Sequence, residues 1–316
     1  MQAVCLTNGR FTYQPNYPKP IPKADEALIR ITLAGICSTD LELIKGYKQF
    51  EGVLGHEFVG IVEEATTEWI GKRVVGTINL GCRSCKACLI DGPKHCPQRT
   101  VLGIMNKDGT FADYATLPLA NLLPVPDDVT DETAVFTEPL AAALRIREQL
   151  IIPPAAKIAI VGPGRLGLLV GQVMALGGTA VTLLGRRQSS LKLPAKLGLN
   201  VGLANDFADN SFDFVVEATG NEAGFAHSVR LVRPRGTLLL KSTFHGLAKA
   251  DLSQLVVDEI NLIGSRCGPF APAVRLLSQN AIDVLSTVEK EYRLADAAEA
   301  FTHAAQPGTR KILLRP

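Results

Sequence analysis

The 316-residue chain holds no apolar run approaching the roughly 18 residues that cross a bilayer, which excludes an ordinary helical membrane span. The N-terminal stretch MQAVCLTNGRFTYQP lacks both the basic and the apolar segment of a secretory leader, so the expected compartment is the cytoplasm. Lys and Arg number 33 against 31 Asp and Glu, a net charge of +2, and no long basic block gathers them. Electrostatics therefore give no reason to expect nucleic acid or an anionic membrane as partner. Internal repeats and low-complexity segments are also missing. What is present is a hydrophobic fraction of 47% beside 20% charged residues, the composition of a chain with a substantial core. The length suits two domains at ~100 to 200 residues each.

Residues 1 to 135 are rich in Gly, Pro and short β-branched runs: EALIRITLAG, HEFVGIVEEA and RVVGTINL. Punctuated by Pro18, Pro20, Pro22, Gly35, Gly46, Gly55 and Gly71, they predict a compact barrel-like β region. From Ala134 the texture turns helical, with Pro139 suited to a first helical turn. From Lys157 onward apolar strands alternate with helical stretches: KIAIVG, RLGLLVGQVMALG, TAVTLLG, FDFVVEATG, GTLLLKST and EINLIGS. Short unbroken apolar runs separated by helix-length segments are what a parallel sheet covered on both faces requires, so a doubly wound α/β domain is expected. The last 45 or so residues offer two helices and a strand that either close this sheet or return to the first domain. The expected division is 1–140 with 269–316, and 141–268.

KIAIVGPGRLG places Gly162, Gly164 and Gly167, with Arg165 and Leu166 between them, where a strand ends and a helix begins. The first glycine permits a tight turn, the second lets backbone approach a pyrophosphate, and the third lets helix pack on sheet. A second strand at the right distance makes this a dinucleotide fingerprint rather than a mere turn. An NAD-binding chain usually carries an acid at the end of that second strand to accept from the ribose hydroxyls. Here Gly185 stands there, followed by Arg186 and Arg187. Loss of the carboxylate removes repulsion toward a 2′-phosphate and two guanidiniums supply donors for it, so NADP(H) is expected over NAD(H). A solvated loop would explain the two arginines but not the missing acid.

Four of the seven cysteines, Cys82, Cys85, Cys88 and Cys96, fall in one sixteen-residue stretch, GCRSCKACLIDGPKHC. Cytosolic thiols stay reduced, and the total is odd, so metal is expected rather than disulfides. Four thiolates close a tetrahedron around Zn²⁺ with no open position, which makes the site structural. The spacing is not one of the usual iron-sulfur patterns.

GICSTD, GHEFVG, the four-cysteine lobe, TEPLAAAL and the glycine fingerprint, in that order, resemble the zinc-dependent medium-chain dehydrogenase/reductase family of alcohol, threonine and polyol dehydrogenases. The resemblance covers nearly the whole chain. It implies a GroES-like catalytic domain followed by a Rossmann domain, and a second, catalytic zinc held by Cys37, His56 and Glu138, where classical alcohol dehydrogenases place a cysteine at the third position. It implies that Glu57 approaches the metal as ligand or through water, that Asp40 orients the ligating histidine, and that Thr39 contacts the substrate oxygen. Many relatives continue the proton relay with a histidine where this chain has Glu42, which serves as acceptor or faces solvent. One soft and two harder ligands with a fourth place open are in any case the signature of a catalytic zinc. Cys5 and Cys267 match no motif and are expected to be small buried apolar residues.

These readings imply hydride transfer between NADP(H) and an alcohol or polyol, or the matching aldehyde or ketone. Ser38, Tyr47, Phe50 and Arg266 are pocket candidates by position. Two other readings compete: a zinc-bearing interaction module for nucleic acid, which has no use for Gly162 to Gly167 or Glu138, and an NADPH-binding, dehydrogenase-like protein without turnover. About two zinc ions per chain distinguish the enzyme. The resemblance also implies a homodimer or homotetramer, paired through the strand near Asn261 to Ser265.

Overall fold

A hairpin opens the chain: β1 (Ala3–Thr7) and β2 (Arg10–Gln14) pair antiparallel across Asn8 and Gly9. Both turn residues have positive φ, 50° and 69°, which Asn-Gly accepts at little cost and which matches the twist of the flanking strands. The computed structural model describes residues 1–243 and 249–316. They form two compact units, Met1–Glu138 with Phe270–Pro316, and Pro139–Pro269.

In the first unit the run EALIRITLAG is β3 (Glu26–Gly35), and it leads into the short helix α1 (Ser38–Ile44). The two-residue β4 (Gly52–Val53) adds to β1, and β5 (Glu57–Glu64) pairs antiparallel with β3. RVVGTINL, a single β-branched run in the sequence, divides into β6 (Arg73–Gly76) and β7 (Asn79–Leu80). The reason is a side chain: the buried amide of Asn121 donates to Thr77 O (2.9 Å) and Asn79 O (3.1 Å), and so holds the chain bent between them. The lobe that follows carries α2 (Lys86–Asp91) and returns through β8 (Thr100–Val101), which pairs with β7. β9 (Tyr114–Pro118) joins β3, and β10 (Leu122–Pro124) joins β6. The helical texture after residue 130 resolves into α3 (Asp131–Ala134), capped by Thr130, and α4 (Thr137–Gln149), with Pro139 in its first turn.

The second unit is a six-stranded parallel sheet: β11 (Lys157–Val161), β12 (Ala180–Gly185), β13 (Asn200–Leu203), β14 (Phe212–Glu217), β15 (Val232–Leu240) and β16 (Asn261–Gly264). Its spatial order is β13-β12-β11-β14-β15-β16, so direction reverses between β11 and β14. The intervening helices are α5 (Arg165–Ala175), α6 (Lys192–Lys196), α7 (Glu222–Leu231) and α8 (Leu252–Val257). Ala159, Val161, Leu184, Val215, Phe225 and Leu238 belong to one buried cluster of this unit. That is the doubly wound architecture expected from the unbroken apolar runs.

The C-terminal segment joins the first unit. After α9 (Phe270–Ser278), β17 (Val288–Arg293) and α10 (Ala297–Ala304), the last strand β18 (Lys311–Arg315) lies antiparallel to β3 and parallel to β17. The main sheet of the unit thus reads β10-β6-β5-β3-β18-β17, with β9 also on β3. No helix among the described residues is long and apolar enough to cross a membrane.

Candidate active site and metal centres

The register of β3 brings distant residues to one end of the sheet. Gly35 pairs with Glu57 on one side and with Leu313 on the other, so the residues just beyond Gly35 meet His56 and Lys311. Gly35 makes room as well: a Cβ there would lie 2.6 Å from Glu57 Oε2. Gly55, at φ +96°, is required twice over, since a Cβ would strike the Phe111 ring at 2.4 Å. One turn of α1 then does two jobs. Asp40 accepts the Cys37 backbone N–H at 2.8 Å through Oδ2, closing a capping box, and its Oδ1 lies 3.2 Å from His56 Nδ1, close but off the alignment of a hydrogen bond. Asp40 is where a partner fixing the histidine tautomer must be.

Cys37 Sγ, a His56 ring nitrogen and a Glu57 carboxylate oxygen all lie within 4.8 Å of one another. His56 and Glu57 are fully buried and Cys37 half-buried. Burial opposes a charge on His56, but the Asp40 carboxylate, with Cys37 adding, overcomes it and holds the imidazole well above its ordinary value. Glu57 Oε2 accepts from Lys311 Nζ at 2.5 Å, and Lys311 also donates to Ile36 O at 3.3 Å. Glu57 Oε1 is buried with no hydrogen-bond partner among the described residues. Lys311 engages only one oxygen of this carboxylate, and leaving the other buried and unpaired beside a thiol and an imidazole costs free energy that a Zn²⁺ held by the three groups would offset. The donor set therefore fits a metal. Thr39 Oγ1 is 3.7 Å from Cys37 Sγ. Glu138 stands outside the triad, half-buried in the first turn of α4. Glu42 accepts from Lys45 Nζ at 2.7 Å on the outer side of α1.

The second cluster is local. Cys82, Cys85, Cys88 and Cys96 place their sulfurs within 4.8 Å of one another, with separations of 3.6 Å (Cys82 to Cys96), 3.9 Å (Cys85 to Cys96) and 4.0 Å (Cys82 to Cys88). A tetrahedron with Zn–S of about 2.3 Å has edges of about 3.8 Å, so the four thiols already stand at coordination spacing. All are unbridged. Hydrogen bonds from the Ser84 side chain and backbone draw the Cys82 thiol down to about 5, whereas desolvation, with the neighbouring thiols adding, pushes Cys88 up to about 12. The lobe is fastened to the sheet by Arg83, whose Nη2 donates to Asn121 Oδ1 at 2.8 Å.

In the second unit Gly162 and Gly167 show the turn and the close helix packing that their spacing predicts. Gly162 has φ +113°, and a Cβ on Gly167 would lie 1.9 Å from Gly162 O, so helix α5 approaches the turn too closely for any side chain. Around Gly164 the position of a Cβ is open, and α5 begins with no side-chain cap. An uncapped helix N-terminus facing open space at the reversal of strand order is where an open α/β sheet receives an anionic ligand. Leu166 and Arg165 are in the first turn of α5. Arg186 and Arg187 are exposed just after β12. Gly185 turns out to have a packing reason of its own: a Cβ would meet Ser190 Oγ at 2.7 Å and Leu191 Cδ2 at 2.9 Å.

Among the described residues, four buried charged ones were not singled out from the sequence: Glu26, which opens β3, Lys311, Lys241 just after β15, and Glu217, whose Oε1 accepts from Thr219 N (2.6 Å), Thr219 Oγ1 (2.5 Å) and Gly220 N (3.1 Å). The available signal was a charge ending an apolar run, in LLLK and FVVE, or opening one, in KILL. Of the cysteines outside motifs, Cys5 is buried, with its thiol pushed up to about 11 by burial and by Asp108, whereas Cys267 is only half-buried. Phe50 is buried, Tyr47 half-buried, and Ser38 and Arg266 exposed.

Residues 23–127 match the alcohol dehydrogenase GroES-like domain. The chain is 30% identical to L-threonine 3-dehydrogenase of Xanthomonas campestris pv. campestris over 268 residues, 78% of each chain. It is 28% identical to D-arabinitol dehydrogenase 1 of Uromyces fabae, covering 94% of this chain and 92% of the relative. Among solved structures, one assigned as a zinc-binding dehydrogenase of Sinorhizobium meliloti 1021, bound to NADP, superposes with a TM-score of 0.90 at 27% identity, covering 100% of this chain and 99% of the other. These likenesses set aside both non-enzymatic readings. The chain belongs to the medium-chain dehydrogenase/reductase family, as an NAD(P)-dependent oxidoreductase of alcohol- and aldehyde-type substrates.

Proposed function

We propose that the protein is a zinc-dependent, NADP(H)-preferring dehydrogenase of alcohols or polyols, working in the cytoplasm as a homo-oligomer with two zinc ions per chain. The observation that carries this is the close group Cys37, His56 and Glu57 with its buried, orphaned carboxylate oxygen. Cys37, His56 and Glu138 would hold the catalytic ion, with Glu57 beside it, and Cys82, Cys85, Cys88 and Cys96 the structural one. A bound zinc supplies Lewis-acid polarisation of the substrate oxygen. The chain's own residues do the rest: Asp40 keeps His56 in one orientation through its Nδ1 face, and Lys311 keeps one oxygen of Glu57 engaged. Thr39, beside Cys37, is the hydroxyl through which a proton would pass to or from the substrate oxygen. Glu42, paired with Lys45 at the protein surface, would accept that proton in place of the histidine of other relatives.

Gly162, Gly164, Arg165, Leu166 and Gly167 would receive the pyrophosphate, and Gly185, Arg186 and Arg187 the 2′-phosphate. The packing at Gly185 is in keeping with this preference, because an acidic side chain there would require Ser190 and Leu191 to shift. The name D-arabinitol dehydrogenase and the NADP-bound relative support a polyol substrate and this cofactor. The test is a panel of alcohols, polyols, sugars and aldehydes followed by NADPH absorbance, run beside metal analysis and an NADH comparison. Turnover with about two zinc per chain and tighter NADPH than NADH is expected. Tighter NADH removes the role given to Arg186 and Arg187, and Glu138→Ala with full zinc and full activity removes Glu138 from the ligand set.

A further inference from the structure

Lys241 follows directly on β15 and is 7% exposed. An ammonium so deep is costly unless its donors are met, and a well-packed apolar side chain would do as well for stability alone. Its Nζ donates to Ser265 Oγ (3.1 Å) and to Arg266 O (2.8 Å), the two residues that follow β16. Its backbone N–H donates to Glu217 O (3.0 Å) at the end of β14, and Ser265 N donates to Leu240 O (2.9 Å). One residue thus ties together the C-terminal ends of three neighbouring strands. The segment it holds is pressed from elsewhere too: a Cβ on Gly268 would lie 1.8 Å from Ala141 O of α4. At the end of β14 the buried Glu217 shapes the next turn through its three accepted hydrogen bonds.

These ends form the half of the sheet that the glycine fingerprint does not use. In a doubly wound sheet each half receives one mononucleotide, across the point where strand order reverses. The fingerprint follows β11 and the arginines follow β12, which gives that half to the adenine side and leaves the ends of β14, β15 and β16 to the nicotinamide side. We propose that Lys241 is a positioning residue for the nicotinamide half of the dinucleotide: its ammonium fixes the Ser265–Arg266 backbone and so presents a rigid rim to that half of the ligand. The inference rests on the dinucleotide reading above and adds to it a residue outside the fingerprint.

Calorimetric titration of the full chain with two ligands tests it: NADPH, and 2′-phospho-adenosine diphosphoribose, which lacks only the nicotinamide. Lys241→Met is expected to weaken NADPH by at least about 10-fold, the scale of a lost hydrogen bond to a charged group, and to leave the fragment within about twofold. Ser265→Ala, which removes one acceptor and keeps the lysine, is expected to show the same split at smaller size, and it decides the matter should Lys241→Met not fold. Equal weakening of both ligands, or no change in either, overturns the role of Lys241 while the dinucleotide reading stands. A wild-type chain that binds neither ligand overturns both.

Discussion

Lys311 and Glu57 are 254 positions apart and form a pair buried at 3% and 1% exposure. Removing one member of such a pair leaves the other as an uncompensated charge, which costs about 3 to 5 kcal/mol. The Glu57 carboxylate has a second claimant in the proposed metal ion, because Cys37 and His56 lie with it in a group that could hold one. Lys311→Met is therefore expected to lower the melting temperature sharply in chelator, and zinc is expected to restore much more of the loss in the variant than it adds to the wild type. Melting curves with and without zinc check this. An equal zinc increment in both proteins would mean that Glu57 does not feel the ion. The sequence carried only part of this site. The motifs containing Cys37 and His56 could be read because each lies in a short, distinctive segment. Lys311 could not, since a lysine opening a terminal strand looks like any solvent-facing residue until the strand is paired.

At the scale of the element, β11 is pinned at its start by a carboxylate. Asp213 Oδ2 accepts the Lys157 backbone N–H at 2.8 Å, and Oδ1 accepts Arg233 Nε at 2.7 Å. The Lys157 backbone bond, with Arg233 adding, holds this carboxyl below its usual value of about 4. A depressed folded-state pKa means stability that is present above the unfolded value and lost as pH falls through the folded one. Asp213→Asn is accordingly expected to cost about 1 kcal/mol at pH 7 and progressively less below pH 4, so the two melting curves converge in acid. A constant gap down to pH 2 would show that the charge contributes nothing. Elements were legible where burial wrote a period into them. β3, β11, β12 and β14 are apolar runs, whereas β17, VEKEYR, is polar along most of its length because it is an edge strand open on one side, and was not read as a strand.

For the whole molecule, the edge at β16 is where the proposed assembly would form. Leu262 on that strand, and Leu252, Val256 and Val257 on α8, are exposed, with Leu262 at 47% and Val257 at 80%. An unpaired, apolar edge invites another chain, and natural sheets otherwise guard such edges with charge, proline or a cover. The homo-oligomer proposed above would use it. Leu262→Glu is expected to shift the molecular mass in light scattering to a smaller species, with little change in melting temperature for the dissociated chain. An unchanged mass would place the subunit contact elsewhere.

The sequence by itself determined what local spacing controls: the four-thiol lobe, the glycine turn at the head of α5, and the alternation of strand and helix that makes a doubly wound sheet. Each depends on neighbours within a few tens of residues, so pattern and chemistry suffice. Tertiary structure decided the rest. It returned the last strand to β3, bent RVVGTINL around Asn121, set Lys311 on Glu57 and Lys241 on the loop after β16. These outcomes depend on which strand ends share an edge of a sheet. Register across hundreds of residues fixes that, and no periodicity along the chain records it.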